Sequence, residues 1–339
     1  MSTIHDVAGR AEVSSATVSR YLNNSGYVGK KTRERIEQTI AELHYVPNSL
    51  ARSLHSKTTH TLGLLLPDIV NAFWTGVARG VEDEAREWGF NVILCNTDSD
   101  LTKQKDYISI LLQKQVDGLV YVPLSRDSHA SLENLLQVEK HGVPFVVLDA
   151  PVEGIAADTV LVDSRRAARE LIHYVIDCGH KRIAFLTGHK GHFTAEERLT
   201  GCLEALAGAG IQPDPDLIYY TSYDEPGGYQ MASRLLKAVP LPTAIFTGNN
   251  MIALGTIKAL REAGLRVPQD ISLVCFDDIP QASLIDPFLT VASQPAYEVG
   301  QCGTHMLLQR ITGQAPAEPQ TVVLPAEIIV RKSCAVLKL

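Results

Sequence analysis

From Thr61 onward the chain repeats one pattern, a short apolar run followed by a helix-length stretch and then another apolar run. The runs TLGLLLPD, NVILCN, GLVYV and PFVVLD are separated by stretches reaching Trp88, Gln115 and about His141. VLVD, RIAFLTG, LIYY, TAIFTGN and ISLVCFDD form a second series of similar size. Parallel strands cannot be joined by tight turns and need a crossover, so this alternation predicts an α/β fold of parallel sheets with helices on both faces. Two series predict two doubly wound subdomains facing each other across a cleft. With 339 residues, 45% hydrophobic and 20% charged, the chain has the composition of a globular protein with a sizeable core.

Ahead of that pattern stands TIHDVAGRAEVSSATVSRYLN, which reads as two helices joined by a tight turn. Ile4, Val7, Ala8 and Ala11 recur at helical spacing, and Thr3 with Asp6 has the spacing of a capping box. Ser14 is a good N-cap for a second helix whose inward face is Val18, Tyr21 and Leu22, leaving Ser15, Ala16, Ser19 and Arg20 outward. A third helix from about Lys30 to Leu43 would pack Ile36, Ile40 and Leu43 back on the first two, behind the weak N-cap Gly29. A face of short side chains and one arginine suits the DNA major groove, where Arg20 can pair with a guanine. Residues 1–60 carry eight Lys and Arg against five Asp and Glu, while the remainder carries 23 against 33, so an overall charge of -7 still leaves the basic end with the helices.

Here the sequence resembles the lactose-repressor/galactose-repressor family of bacterial transcription regulators. The resemblance rests on DVAGRAEVSSATVSRYLN and TRERIEQTIAELHYVPNSLARSL and continues to about Arg331. It implies an all-α helix-turn-helix headpiece at 1–46, a hinge helix and linker at 47–60, and a periplasmic-binding-protein-like core at 61–339. In that core one subdomain takes about 61–160 and 292–322, and the other about 161–291 and 323–333. In the headpiece, Arg20, Ser15 and Ala16 would read bases while Ser14, Thr17 and Asn23 hold phosphates. NSLARSLH is too short to stay helical alone in water, and the resemblance makes it a hinge ordered on DNA, with Leu54 as the minor-groove wedge. Glu12 departs from the Gly or Asn usual in the turn, so it must accept strained geometry.

Ligands of parallel sheets gather at the carboxyl ends of strands, which singles out Asn71, Phe73, Trp74, Asp149, Arg198, Tyr223, Asn249, Asp277 and Gln294. Carboxylates, amides and a guanidinium can bond a ring of hydroxyls, and the aromatic rings can cover a sugar's apolar faces. The NAFW block resembles the NPFF block of ribose-binding proteins and ribose-type repressors, which implies a pentose-like effector. Two positions depart: Ala150 stands where an arginine is usual, and Cys275 where a glycine is. A purine or sugar phosphate is the alternative effector; a purine would favour further aromatic and basic residues in the first subdomain.

Other classes are excluded by what the sequence lacks. It has no GxxxxGK[ST] loop, HExxH, GxGxxG or GxSxG, so an enzyme is not expected and no cofactor is implied. The HKGH run at His189 and His192 has no nearby third ligand, and with His180 these histidines sit in polar, loop-like segments, so no metal is expected. Six cysteines without paired spacing, and no apolar leader or membrane-length run, suggest free thiols in the cytoplasm. A sugar-binding receptor without DNA function is disfavoured by residues 3–54. The resemblance further implies a homodimer on pseudopalindromic double-stranded operator DNA, and the chain shows no heptad-patterned tail for a tetramer.

Overall fold

The computed structural model describes residues 2–23, 25–45, 58–124, 128–279 and 288–337. The chain divides into two compact units, Met1–Thr59 and His60–Leu339.

In the small unit, α1 (Ile4–Arg10), α2 (Ser15–Asn23) and α3 (Lys30–Glu42) surround a core of Val7, Ala8, Ala11, Val18, Val28 and Ile36. Ile4, Tyr21, Leu22, Ile40 and Leu43 pack around it, which are the faces that helical spacing assigned. The capping box forms: Asp6 N donates to Thr3 Oγ1 at 3.3 Å, and Thr3 N donates to the Asp6 carboxylate at 2.7 Å. Gly29 gives α3 no side-chain cap, as its lack of a polar side chain requires. Glu12 adopts φ +50°, so a residue with a Cβ does occupy the left-handed turn position.

The large unit begins with β1 (Thr61–Leu66), α4 (Ala72–Glu87), β2 (Asn91–Asn96), α5 (Leu101–Gln113), β3 (Gly118–Tyr121), α6 (Ser128–Lys140), β4 (Phe145–Leu148) and β5 (Asp158–Val162). It continues with α7 (Ser164–Asp177), β6 (Ile183–Thr187), α8 (Phe193–Gly208), β7 (Ile218–Tyr220), α9 (Glu225–Leu235), β8 (Ala244–Thr247), α10 (Asn250–Glu262) and β9 (Ser272–Phe276). After these come β10 (Thr290–Ser293), α11 (Ala296–Ile311), β11 (Thr321–Leu324) and β12 (Glu327–Ile329). The strands make two sheets, ordered β11-β5-β4-β3-β1-β2 and β12-β10-β9-β8-β6-β7. The described ladders are parallel except β10 with β12. Each sheet has a hydrophobic cluster on both faces, which is the doubly wound arrangement expected from the alternation.

Strand membership differs from the sequence reading in three places. VLVD, which the alternation puts at the head of the second series, gives Val160–Val162 to β5, which lies in the first sheet between β4 and β11. β10 runs to Ser293 in the second sheet, so the chain returns to the first subdomain after 293 rather than at 292. Leu324, expected in the second subdomain, still pairs with Val162 of the first, and β12 alone carries the chain back. α4 and α11 approach so closely that a Cβ on Gly80 would lie 2.0 Å from Tyr297 O, and one on Gly300 2.1 Å from Val77 O. Only glycine permits that contact at these two positions.

Candidate functional sites: a reading helix and a polar cleft

The start of α2 is set by its own hydroxyls. Thr17 N donates to Ser14 Oγ at 3.2 Å, so Ser14 caps the helix, and the Ser14 and Thr17 hydroxyls lie 2.9 Å apart. Val18 is fully buried, which turns Ala16 and Arg20 outward, both exposed, with Ser15 half-buried beside them. The Arg20 stem lies along Gly26, where a Cβ would come within 3.2 Å of Arg20 Cδ. Asn23 closes α2, and Leu54 lies outside the described residues. Two residues that spacing did not flag stand beside this face. Ser15 Oγ is 3.1 Å from His5 Nδ1, and Tyr27, next to Gly26, is 91% exposed. An aromatic residue in the polar loop NSGYVG was the only available signal for Tyr27.

In the large unit, aspartates occupy equivalent places in the two sheets. Asp149 follows β4 with φ +74° and Asp277 follows β9 with φ +72°, the left-handed region that costs a residue with a Cβ. Each backbone N–H is held by the next strand, Asp149 N to Val160 O at 3.0 Å and Asp277 N to Ala292 O at 2.8 Å. Burial pushes the Asp149 carboxyl up to about 6; the Arg198 guanidinium opposes that shift and Asp277 adds to it. Burial also raises Asp277, again opposed by Arg198 and by Gln294, whose Nε2 donates to its carboxylate at 2.5 Å. Asp149 of one subdomain thus shares a field with Arg198 and Asp277 of the other.

Arg198 is 4% exposed, donates from Nη1 to Gly248 O at 2.6 Å and lies 3.9 Å above the Phe276 ring. Its Nε has no partner among the described residues, nor do Thr187 Oγ1, Asn250 Oδ1 and Gln294 Oε1; the last three lie at or just past strand ends of the second sheet. A buried polar atom left unpaired costs about 1–3 kcal/mol, so a group of them at one cleft marks a place for a polar ligand or water. Tyr223 lies over Gly188, its ring edge-on to His192 at 5.2 Å and its hydroxyl 3.5 Å from Thr194 Oγ1. Burial pushes the His192 imidazole down to about 4, assisted by Arg198 and His189, so it is neutral here.

Other expected residues have structural duties. Phe73 and Trp74 pack edge to face at 4.8 Å within the first subdomain's core and show little surface. Asn71 Oδ1 accepts from Phe73 N at 3.0 Å and from Asn250 Nδ2 at 3.1 Å. Asn249 Oδ1 accepts from Ile252 N at 2.8 Å while its Nδ2 donates to Tyr223 O at 3.3 Å, which commits both ends of the amide. Ala150 is buried, and the Cys275 thiol donates to Phe276 O at 3.0 Å. His180, read as a loop residue, is instead buried between Thr243 Oγ1 at 2.9 Å and Ala335 O at 3.0 Å. Sequence reasoning missed Asn250, His192, Thr194 and Thr187; the doubled Asn after TAIFTG was the visible hint.

Residues 59–332 match the family of periplasmic binding proteins and the sugar binding domain of the LacI family, and residues 3–48 match bacterial regulatory proteins of the lacI family. A ribose operon repressor of Halalkalibacterium halodurans is 36% identical over 98% of this chain and 97% of its own. The lac repressor dimer bound to operator and the anti-inducer ONPF superposes with a TM-score of 0.85 at 30% identity, over 98% of this chain and 99% of that one. A LacI family regulator of Enterococcus faecium with bound ribose gives 0.72 at 33% identity, over 82% and 100%. The chain is a DNA-binding transcriptional regulator and belongs to the lacI family of bacterial regulatory proteins.

Proposed function

We propose that this regulator is a repressor of carbohydrate-utilisation genes whose operator affinity is set by an uncharged, pentose-like sugar held between the two core subdomains. The observation that carries the reading is the cross-cleft group of Asp149, Arg198, Asp277 and Gln294, with buried polar atoms that lack partners. Hydroxyls can donate to the carboxylates and to Gln294 Oε1 and accept from Arg198 Nε, which returns the hydrogen bonds those atoms lost on burial. Tyr223 offers a ring face, while Asn71, Asn249, Phe73 and Trp74 hold the walls. Two carboxylates stand against one guanidinium, with Ala150 in place of a second, so a sugar phosphate would meet net repulsion. The ribose complex of the Enterococcus faecium protein and the name of the Halalkalibacterium halodurans relative support the same ligand class.

In the proposed organisation, residues 1–46 are the headpiece, 47–60 the hinge with Leu54 as wedge, and 61–339 the sensing and dimerisation core. Ser15, Ala16 and Arg20 read bases; Ser14, Thr17 and Asn23 hold phosphates. The homodimer forms through the core, where edge strand β2 leaves Ile93 and Leu94 exposed and Ile69, Val70 and Ile110 add further apolar surface. Two headpieces then meet a pseudopalindromic operator. The Asn250–Asn71 hydrogen bond already joins the subdomains, so a sugar that completes the contacts across the cleft shifts their closure. Among the described residues, no helix is long and apolar enough to cross a membrane.

Calorimetric titration of the purified chain with D-ribose, with ribose 5-phosphate and with a purine base tests the ligand assignment. Saturable heat with ribose and none with the phosphate is expected. Tight binding of the phosphate, or of a purine in preference to either, would overturn it.

A further inference from the structure

Ser15 is the first residue of α2, and its hydroxyl is not free to turn. It lies 3.1 Å from Nδ1 of His5, an exposed side chain on the first turn of α1. The neighbouring hydroxyls of Ser14 and Thr17 bond to each other, so Ser15 is the hydroxyl of this turn joined to a titratable ring. The charged group beside His5 is Asp6, whose carboxylate is held by Thr3 N at 2.7 Å and Thr3 Oγ1 at 2.8 Å. From α2, residues 14 to 17 bring no charge. α3 reaches α1 through the Arg10–Glu42 ion pair, and its C-cap Leu43 O accepts from Ser2 Oγ.

A serine hydroxyl has one proton to donate and two lone pairs to offer. When Nδ1 of a neutral imidazole is bare, it accepts the Ser15 proton, and the hydroxyl shows the groove only lone pairs. Those lone pairs match the amino groups of cytosine and adenine. When the ring is protonated, both nitrogens donate, Nδ1 gives its hydrogen to Ser15 Oγ, and the serine proton turns outward. It then matches the acceptors of guanine and thymine. Gain or loss of one proton at a bare Nδ1 therefore inverts the hydrogen-bond polarity that Ser15 presents.

We propose that His5 is a specificity-determining residue: its protonation state sets the hydrogen-bond polarity that Ser15 presents to the base it reads. The inference rests on the headpiece reading DNA as proposed above. It concerns which base is preferred rather than how tightly phosphate is held, because the added charge of an imidazolium acts on every sequence alike.

The test is fluorescence anisotropy with the full chain and duplexes derived from the region upstream of its gene, carrying each base pair in turn at every half-site position. Salt is held constant and titrations are run at about pH 6 and about pH 8. At one position, the preference between donor bases and acceptor bases should change by roughly five- to tenfold between the two conditions, the worth of one hydrogen bond. Ser15→Ala and His5→Phe should show the same preference at both pH values. A pH effect equal for all bases overturns the proposal, as does one that persists in Ser15→Ala. So does an unchanged preference in the wild type, which would mean that Nδ1 carries its hydrogen in both states. Absence of sequence-specific binding at either pH would instead remove the headpiece reading itself.

Discussion

The headpiece and the cleft use polar side chains in opposite ways. Ala16 and Arg20 stand in water on a helix whose fold depends on a six-residue core and its caps, so the proposed reading face is ready before DNA arrives and its substitution leaves the core alone. Asp277, Arg198 and Gln294 are buried on a larger scaffold, with polar atoms unpaired, so the cleft holds its groups at a cost to stability that a ligand can offset. Recognition in the first region is an added surface, whereas in the second it is a relieved penalty. Substitutions should therefore separate binding from stability in the headpiece and couple them in the cleft.

The largest expected effect is in the cleft. Arg198→Ala removes the cation that Asp149 and Asp277 share, and should cost about 2–4 kcal/mol of core stability as well as sugar binding. The urea midpoint at neutral pH measures this, and the loss should shrink on acidification as the carboxyls take up protons. An unchanged midpoint would erase the contrast between the regions. Next, Arg20→Ala should lose about 1–3 kcal/mol at a single base pair and nothing from the melting temperature. Equal loss on every DNA sequence would make Arg20 a phosphate contact.

The pH dependence sharpens the comparison further. The folded-state pKa of Asp149 is raised to about 6, so its contribution to stability is full below the unfolded value and is lost as pH rises through 6. The ligand-free core therefore carries this penalty at neutral pH. Sugar affinity should run the other way, weakening by at most about tenfold per pH unit below 6 as the acceptor carboxylate is neutralised. His192, held down to about 4, stays neutral across that range and does not produce the step. Calorimetry between neutral and mildly acidic pH checks both the direction and the position. The smallest effect is for Asn250→Ala, which removes the bond to Asn71. It should weaken sugar binding by roughly fivefold, the worth of about 1 kcal/mol of lost closure.

Legibility followed the range of the interactions. The capping box of Thr3 and Asp6, the cap at Ser14 and the inward faces of all three headpiece helices are local, and spacing located them. Strands as apolar runs were equally visible, but the sheet that β5 joins is decided by Asp158–Val162 meeting Val146–Leu148 and Thr321–Leu324, and nothing within VLVD carries that information. The strand-end rule singled out Asp149, Asp277 and Gln294, which with Arg198 of α8 act on one another in the folded core. It could not foresee that Asn250 would reach Asn71, because that depends on how two remote helix starts meet. His180 and His192 looked like surface residues because local polarity does not report burial by distant chain.

The central claim is that occupancy of the cleft changes affinity for DNA. It is tested most directly by the operator dissociation constant, measured at fixed salt and neutral pH with and without saturating D-ribose. A change of roughly five- to 150-fold in either direction, with operator altering ribose affinity by the same factor, is the result this account predicts. Identical operator affinity in the presence of ribose that calorimetry shows to be bound would contradict it.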